Sequence, residues 1–288
     1  MMQTNKTSEV VLIPQRQNDL RGPFAGVAQR QNDLRGRFAL VCGVATLAIV
    51  SLTAAPQEKD YREAIAGTTV TFDMVLVPKG AAAGPFYIGR TEVTWDMYDV
   101  FALGLDTPES RPAGSDGVAR PSNPYGAPDY GWGHAGFPVI SVTRQAAEAF
   151  TKWLSQKTGR VYRLPTEAEW QHVAALAAGP EALTPDALDG MGWHRNNASA
   201  HSHAVGTKAP DRLGLFDLFG NAAEWVMAKD GQLVTRGGSF RDGPDGIGPA
   251  GRAVQDEYWN ERDPQLPKSR WWLSDGPFVG FRLVREIQ

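Results

Sequence analysis

The sequence predicts a single α+β domain that is rich in loops and has little regular secondary structure. Short strand-like and helix-like segments follow one another in no repeating order, which argues against alternating strand and helix units. The 288 residues include 31 Gly and 20 Pro, which is typical of a chain with many turns. No break in composition marks a second domain after the leader.

Charge and cysteine content exclude several classes of function. The chain has 29 Lys and Arg against 32 Asp and Glu, so it lacks the basic surface of a nucleic-acid-binding protein and we expect no nucleic-acid partner. Its single cysteine, Cys42, excludes an intrachain disulfide, a multi-cysteine zinc site and a thiol pair for redox chemistry or copper.

An uncharged apolar segment, residues 38–55, follows Arg35 and Arg37. Its length is near the lower limit for crossing a bilayer and long for the apolar part of a signal peptide, so a cleaved signal peptide and an N-terminal membrane anchor both remain open. Either one predicts an exported protein of the periplasm or cell envelope, soluble after cleavage or attached through residues 38–55.

The segment before it contains a tandem repeat. QRQNDLRGPFA at residues 15–25 recurs as QRQNDLRGRFA at residues 29–39. We expect residues 1–37 to be a disordered basic leader, the alternative being a basic segment held at the membrane face.

The first elements after the leader are two strands and a short helix. Apolar and polar residues alternate over residues 70–77, which predicts a strand, and GPFYIGRTEVT predicts a second. Thr94 can cap a helix that ends at Gly104. Residues 106–137 form a long loop with interspersed aromatic residues.

Two helices have clear start and stop signals. Thr143 is the candidate N-cap of the first, which ends at Gly159. Thr166 and Glu169 form a capping box for the second, which ends at Gly179. A short strand separates them. Towards the C-terminus, QLVTRGGSFRD predicts a strand that enters a Gly-Gly turn, and residues 279–284 predict a final strand.

The histidines give only a weak metal signal. His201 and His203 would point to the same side of a strand and could reach one metal ion, but no third ligand is visible, and solvated side chains are the alternative. His172 lies inside a predicted helix without a partner one turn away, so we expect a structural role for it.

The stretch LGLFDLFGNAAEW has two interpretations. Asn221 can cap a helix that begins at Ala222, with Glu224 reaching back as in a capping box. That interpretation leaves Asp217 and Gly220 unexplained. A turn that gathers these carboxylates and backbone carbonyls offers only oxygen ligands, which suit calcium.

Five motifs in this order resemble the sulfatase-modifying factor family, whose named member is the formylglycine-generating enzyme. They are IGRTEVTWDMYDVF, PVISVTRQAAEAFTKWLSQKTGRVYRLPTEAEW, GLFDLFGNAAEW, VTRGGSF and FVGFRLV. The resemblance covers residues 69–285. It implies one irregular domain, related in shape to C-type-lectin-like folds, that is often exported and holds structural calcium.

The resemblance also implies which residues bind calcium. One ion would be bound by the side chains of Asp217 and Glu224 and by the carbonyls of Gly220 and Ala222. A second site would begin at Asn197 and Ala198, but its later acidic ligand has no counterpart in the short SAHSHAVG.

The chain departs from the family at the active site. Formylglycine-generating enzymes oxidise a sulfatase cysteine with oxygen, using two cysteines that bind copper(I) between the Gly-Gly-Ser and Gly-Phe-Arg motifs. Residues 240–279 contain no cysteine, and Ala253 and Val254 stand about where the first thiolate would be expected. Copper(I) prefers soft ligands, so we expect no copper. The histidine motif of the iron-dependent sulfoxide synthases, HxxxHxE, is also missing.

We therefore expect an exported family member without copper-thiolate chemistry that acts as a calcium-stabilised binding domain for a protein, peptide or glycan, or as a non-standard oxidase. The alternatives are a sulfatase-modifying enzyme that uses another metal, and a periplasmic protein of the siderophore-maturation type. Trp132 and His134 could face the binding cleft, and tryptophans that fill the core are the alternative interpretation. The predicted cleft consists of Arg252, Tyr258, Trp259, Arg270, Trp271 and Trp272.

Overall fold

A computed structural model describes residues 59–81, 84–106, 117–180 and 183–287. The predicted leader, residues 1–37, and the apolar segment 38–55 lie outside the described residues. Within the described ranges no helix is both long and apolar enough to cross a membrane. All of these residues belong to one unit, Ala54–Gln288.

Short strands and helices alternate irregularly along the chain. The strands are β1 (Tyr61–Ala64), β2 (Thr71–Val77), β3 (Phe86–Gly89), β4 (Tyr162–Arg163), β5 (Ala223–Met227), β6 (Leu233–Gly237), β7 (Gly248–Val254), β8 (Val279–Gly280) and β9 (Val284–Glu286). The helices are α1 (Trp95–Leu103), α2 (Arg144–Thr158), α3 (Glu167–Ala178), α4 (Pro185–Met191) and a 3₁₀ helix at Glu257–Asn260. The prediction of a loop-rich α+β domain is confirmed.

The strands form two sheets. The first has the order β1-β2-β3-β9-β4 with antiparallel neighbours, so the last strand of the chain lies in the middle of the sheet. Its edge strand β1, which precedes residue 69, pairs Ala64 with Thr71 of β2. The second sheet has the order β7-β6-β5-β8, and β5 runs parallel to β8 with Ala223 opposite Val279. Because the two strands are parallel, the turn before β5 lies next to the segment that precedes β8, and the Ala223 N–H donates to the Phe278 carbonyl at 2.8 Å.

Local capping signals explain the helices. The Thr143 hydroxyl accepts a hydrogen bond from the Ala146 N–H at 3.1 Å, and Gly159 ends α2 in the left-handed conformation. At α3, both hydrogen bonds of the predicted capping box between Thr166 and Glu169 are present. The sequence analysis missed α4, although Thr184 followed by Pro185 is a recognisable helix start.

Two predicted elements are wrong. No helix begins at Ala222, because Ala223–Met227 is strand β5, held between β6 and β8. The single final strand at residues 279–284 is divided into β8 and β9, which belong to different sheets. The backbone changes sheets between these strands, and this crossing point is occupied by a buried arginine, Arg282.

Aromatic side chains dominate the core. A larger cluster lies around α1 and α2, where Tyr98 stacks on Phe150 with ring centroids 5.8 Å apart. A smaller cluster lies around α3, where the Trp170 ring meets Phe219 edge to face. Each fully buried Phe contributes about 1.5–3 kcal/mol through removal of its surface from water. The two clusters flank the β5 region and hold it rigidly.

Candidate functional site

Four charged side chains are buried together where the turn before β5 meets the segment after β8. Glu224 lies on β5, Arg282 follows β8, Glu92 lies between β3 and α1, and Asp217 lies in the turn, each with at most 1% of its surface exposed. We call these residues the carboxylate cluster.

Arg282 is the cation of the cluster. Its Nε donates to Glu224 Oε1 at 2.7 Å, and its Nη1 and Nη2 donate to the carbonyls of Gly89 and Phe216 at 3.0 and 2.8 Å. The second oxygen of Glu224 accepts from Trp170 Nε1 at 2.9 Å. Arg282 therefore connects β5 to β3 and to the turn.

Glu92 fixes the shape of the turn. Its Oε1 accepts from the Ala222 N–H at 2.8 Å and its Oε2 from Asn221 Nδ2 at 2.9 Å. Asp217 and Asn221 adopt φ values of 56° and 55°, which non-glycine residues rarely do. At Gly220 a Cβ would lie 2.4 Å from the Trp193 carbonyl oxygen, so only glycine fits. Such a conformation persists only where surrounding contacts enforce it.

The cluster carries more negative than positive charge. Burial raises the pKa of Glu92 well above its usual range, and the nearby charge of Asp217 adds to the increase. Burial also raises the pKa of Asp217 to about 6 and raises that of Glu224. Three carboxylates share one guanidinium, so the fully ionised cluster lacks two positive charges. Uncompensated buried charge is costly.

These residues fit a calcium ion. Asp217 Oδ2 accepts from the Gly206 N–H at 2.7 Å, whereas its buried Oδ1 has no hydrogen-bond partner among the described residues. An ionised carboxylate offers about four lone-pair sites, so Glu224 can bind a cation in addition to its two donors. Within the described ranges no group of three or more His, Cys, Asp or Glu side chains could hold a metal, so a calcium ion here would take the rest of its six to eight oxygen ligands from backbone carbonyls and water.

The residues of the second implied calcium site do not fit an ion. Asn197 Oδ1 accepts from the His194 N–H at 2.9 Å, and the Ala198 carbonyl accepts from His203 Nε2 at 2.9 Å. Both oxygens therefore have protein donors. The hypothesis of a metal shared by His201 and His203 gains no support either, because His201 Nδ1 contacts the Ser202 carbonyl and no third ligand is found in the described ranges.

A cavity of about 620 Å³ opens between the Gly-Gly-Ser motif and the Gly-Phe-Arg motif. We call it the Gly-Gly-Ser cavity. Its lining combines polar or charged residues with aromatic residues and one proline: Ser239, Arg241, Asp242, Asp256, Tyr258, Trp259, Arg262, Asp275, Pro277 and Phe278.

Hydrogen bonds and ring contacts hold this lining in place. Asp242 Oδ2 accepts from both the N–H and the hydroxyl of Ser239 at 2.8 Å. The guanidinium of Arg241 lies over the Phe278 ring, 4.6 Å from its centroid. Arg262 pairs with Asp275 through its side chain, and its N–H donates to the same carboxylate at 2.8 Å. The cavity thus presents charges of both signs beside aromatic rings.

A second, smaller cavity adjoins the first at Arg262. It has a volume of about 210 Å³ and lies between residues 122–130 and 262–274. Tyr125, Tyr130 and Trp272 contribute aromatic rings to its lining. Arg262 lines both cavities, so the two lie next to each other at this residue, and we call them together the groove.

The six residues of the predicted cleft do not line one cavity. Tyr258 and Trp259 line the Gly-Gly-Ser cavity, and Trp272 lines the smaller one. Arg270 and Trp271 lie at a third opening, where the Arg270 guanidinium covers the Trp271 ring. The sixth residue, on β7, is Arg252, which pairs with Glu167 at 2.8 Å.

The aromatic residues of the predicted cleft differ in how much of their surface is exposed. Trp259 and Trp271 are 8% and 2% exposed and pack in the larger core cluster, whereas Tyr258 is 63% exposed. Trp132 packs against Phe240 and stacks on Tyr130. His134 lies between the carboxylates of Asp99 and Asp129 and stacks on Trp95.

Residues 64–287 match the model of the sulfatase-modifying factor enzyme 1-like domain. The chain belongs to the sulfatase-modifying factor family.

Two curated relatives of this sulfatase-modifying factor domain match over shorter segments. The formylglycine-generating enzyme of Mycobacterium tuberculosis is 31% identical over 109 residues, 33% of this chain and 34% of that enzyme. The serine/threonine-protein kinase pkn1 of Chlamydia pneumoniae is 34% identical over 96 residues, 33% of this chain and 14% of the kinase. The chain therefore spans only about a third or less of the length of these relatives.

A solved structure extends the similarity in fold. Treponema denticola variable protein 1 superposes with a TM-score of 0.55 at 20% identity, covering 79% of this chain and 99% of the other. At that identity the match establishes the shared fold alone.

Within the sulfatase-modifying factor domain, no thiol is present at the Gly-Gly-Ser cavity. The only cysteine of the chain is Cys42, in the apolar segment 38–55. Ala253 and Val254, which stand near the expected first thiolate, are exposed on β7 and do not line this cavity. The sequence analysis did not identify Glu92, Arg282, Arg241 or Arg262, although the first two lie within motifs that carried the family resemblance.

Proposed function

We propose that this chain is a binding member of the sulfatase-modifying factor family that lacks copper-thiolate oxidase chemistry. One calcium ion at Asp217 and Glu224, with the carbonyls of Gly220 and Ala222, stabilises the turn before β5. The groove formed by the Gly-Gly-Ser cavity and its smaller neighbour binds an extended segment of a protein partner. Export, with residues 38–55 as signal peptide or anchor, belongs to the same proposal.

One observation carries this proposal. The cavity between the two motifs that enclose the thiolates of formylglycine-generating enzymes is lined here by charged and aromatic side chains and by no cysteine. Arg241 and Asp256 offer charge-assisted hydrogen bonds, and Tyr258 offers an exposed aromatic surface. A lining of this composition suits a peptide segment better than a small apolar ligand, which favours an enclosed apolar pocket.

The first experiment tests for the oxidase reaction. The purified protein is incubated with a cysteine-containing sulfatase peptide, oxygen and copper(I), and the peptide is analysed by mass spectrometry. The Mycobacterium tuberculosis formylglycine-generating enzyme is the positive control. We expect no aldehyde above the level without protein. Aldehyde formation at a rate that depends on the protein would overturn the proposal.

The second experiment tests the groove. A phage-displayed library of random peptides is selected on the wild-type protein, and enriched peptides are measured against Arg241→Ala and Tyr258→Ala. We expect each variant to weaken binding at least about tenfold, as hot-spot residues do. The control is Lys229→Ala, which changes an exposed residue that lines neither cavity of the groove. If only the control variant lost affinity for the peptides, the binding site would lie elsewhere. If none of the three variants lost affinity, the proposed groove would be wrong.

A further inference from the structure

The imidazole of His203 contacts the Ala198 carbonyl, which the family resemblance assigns to a second calcium ion. Its Nε2 is 2.9 Å from the Ala198 carbonyl oxygen. A carbonyl oxygen can only accept, so this ring nitrogen carries the proton and donates. The contact joins the two ends of the loop that begins at Asn197.

The Asn197 side chain and the Ala198 carbonyl have further protein partners. Asn197 Oδ1 accepts from the His194 N–H, and its Nδ2 donates to the Gly192 carbonyl at 3.2 Å. The Ala198 carbonyl accepts a second hydrogen bond from the His201 N–H at 3.2 Å. A calcium ion requires six to eight oxygen ligands, whereas here the Ala198 carbonyl has two protein donors and Asn197 Oδ1 has one.

The His203 ring is held in a fixed orientation. It stacks on the Trp193 indole at a centroid distance of 3.7 Å and an interplanar angle of 13°, and the His201 ring lies 4.4 Å from it. Ser199 and Ala200, inside the loop, have φ values of 51° and 62°. Two consecutive non-glycine residues in this conformation are unfavourable, so the loop needs a strong closing contact.

The backbone of His203 connects this loop to the first calcium motif. Its N–H donates to Asn221 Oδ1 at 2.9 Å, and its carbonyl accepts from Asn221 Nδ2 at 3.2 Å. The same Nδ2 donates to Glu92 in the carboxylate cluster. His203 therefore holds its own loop closed and supports the neighbouring turn.

We propose that the His203 imidazole has replaced the second calcium ion of the family. It donates to the carbonyl that the ion would bind, and it closes the loop by a hydrogen bond and ring stacking instead of by coordination. This inference does not depend on the proposed peptide groove. Its consequence is a protein that needs at most one calcium ion and whose Asn197 loop stays folded when calcium is removed.

The first test counts calcium. The full chain is dialysed against calcium-containing buffer and then buffer alone, and bound calcium is measured by inductively coupled plasma mass spectrometry. We expect no more than one ion per chain. Two ions per chain would overturn the replacement. This measurement needs no variant, so it decides the matter even if a variant fails to fold.

The second test compares variants by thermal unfolding in excess chelator. We expect His203→Leu to lower the melting temperature by about 3–8 °C, because it leaves the Ala198 carbonyl with one donor fewer and removes a packed ring. His203→Gln keeps an N–H donor and is expected to recover part of that loss. The control is His201→Leu, which removes the adjacent ring but not the closing hydrogen bond.

The outcomes separate the two metal proposals. A His203→Leu protein as stable as wild type, or a His203→Gln protein as unstable as His203→Leu, would overturn the replacement. A calcium count of zero would overturn the calcium site at Asp217, and the chelator series would still decide the role of His203.

Discussion

Arg282 and Glu224 form a fully buried ion pair at 2.7 Å, although 58 residues separate them in sequence. Glu224 belongs to β5 and Arg282 follows β8, so the pair connects two strands of the second sheet to the turn before β5. A buried pair of this kind contributes little net stability over an apolar pair, but removing one partner leaves a desolvated charge. Because two further carboxylates, Glu92 and Asp217, lie beside the pair, the fully ionised cluster has two negative charges without a cation.

Arg282→Met should destabilise the protein by about 3–5 kcal/mol, because three buried carboxylates then lack their cation. Urea unfolding followed by tryptophan fluorescence measures the loss. Arg144→Ala is the control, since it breaks a surface pair with Glu148 and should cost less than about 1 kcal/mol. Equal losses in the two variants would show that the cluster does not depend on Arg282.

Calcium removal should lower the melting temperature of the wild-type protein by about 5–10 °C, since a ligand at 100 times its Kd stabilises by about 2.7 kcal/mol. Scanning calorimetry with calcium and with excess chelator measures the shift. The melting temperature of Asp217→Ala should be the same with calcium and with excess chelator. Asp230→Ala, which changes an exposed carboxylate near β6, should keep the wild-type response. A wild-type protein indifferent to chelator would contradict the calcium site.

Stability should depend on pH through His134. Partial burial lowers the pKa of this histidine, but hydrogen bonds to Asp99 and Asp129 outweigh the effect and raise the pKa above its usual range. A raised folded-state pKa stabilises the protein fully below the unfolded pKa of about 6.5, and this stabilisation is lost as pH rises through the folded value.

The melting temperatures of wild type and His134→Gln, measured from about pH 5.5 to 8.5, check this prediction. The wild-type advantage should be greatest at the acidic end and shrink towards the alkaline end. His172→Gln controls for loss of a histidine whose ring hydrogen-bonds to a backbone carbonyl, that of Pro78, and to no carboxylate among the described residues. A constant difference across the range would rule out the charged His134 contact.

Trp259 and Tyr258 are adjacent but should behave differently. Trp259→Ala should cost about 3–5 kcal/mol, because the ring is 8% exposed and packs against Trp225 and Phe278. Tyr258→Ala, 63% exposed, should change stability by less than about 0.5 kcal/mol. Chemical unfolding of both variants distinguishes core packing from a surface role, and a large loss in Tyr258→Ala would disqualify it as a binding probe.

The two helix caps at Thr166 and Thr94 should also differ. Thr166→Ala should cost about 0.5–2 kcal/mol, because it breaks the capping box with Glu169. The Thr94 side chain makes no capping hydrogen bond, so Thr94→Ala should cost less. Urea unfolding of the pair provides the measurement, and the reverse order of losses would contradict the observed caps.

Elements with local causes were predictable from the sequence. The hydroxyl of Thr143 and the capping box at Thr166 act within one helical turn, and glycines at the helix ends need only their own conformational freedom. The ordered motifs likewise indicated the family and the domain, since short motifs in sequence are directly readable. The absence of cysteine beyond Cys42 was a fact of composition.

The turn before β5 could not be predicted in this way. Asn221 followed by Glu224 has the local pattern of a helix start. Glu224 nevertheless lies on a strand, because β5 pairs with β6 and β8 and because Arg282 binds the Glu224 carboxylate. Likewise, Tyr258 and Trp272 are only 14 positions apart but line different cavities, because the chain between them folds back on itself.

The sequence by itself determined the capped helices α2 and α3, the family and the lack of a thiol pair, because each depends on neighbouring residues or on composition. Only the tertiary structure decided which carboxylates share one buried site, that the His203 ring contacts the Ala198 carbonyl, and which aromatic rings remain exposed. Those properties arise from contacts between residues distant in sequence, and burial in a low-dielectric interior gives such contacts their energetic weight.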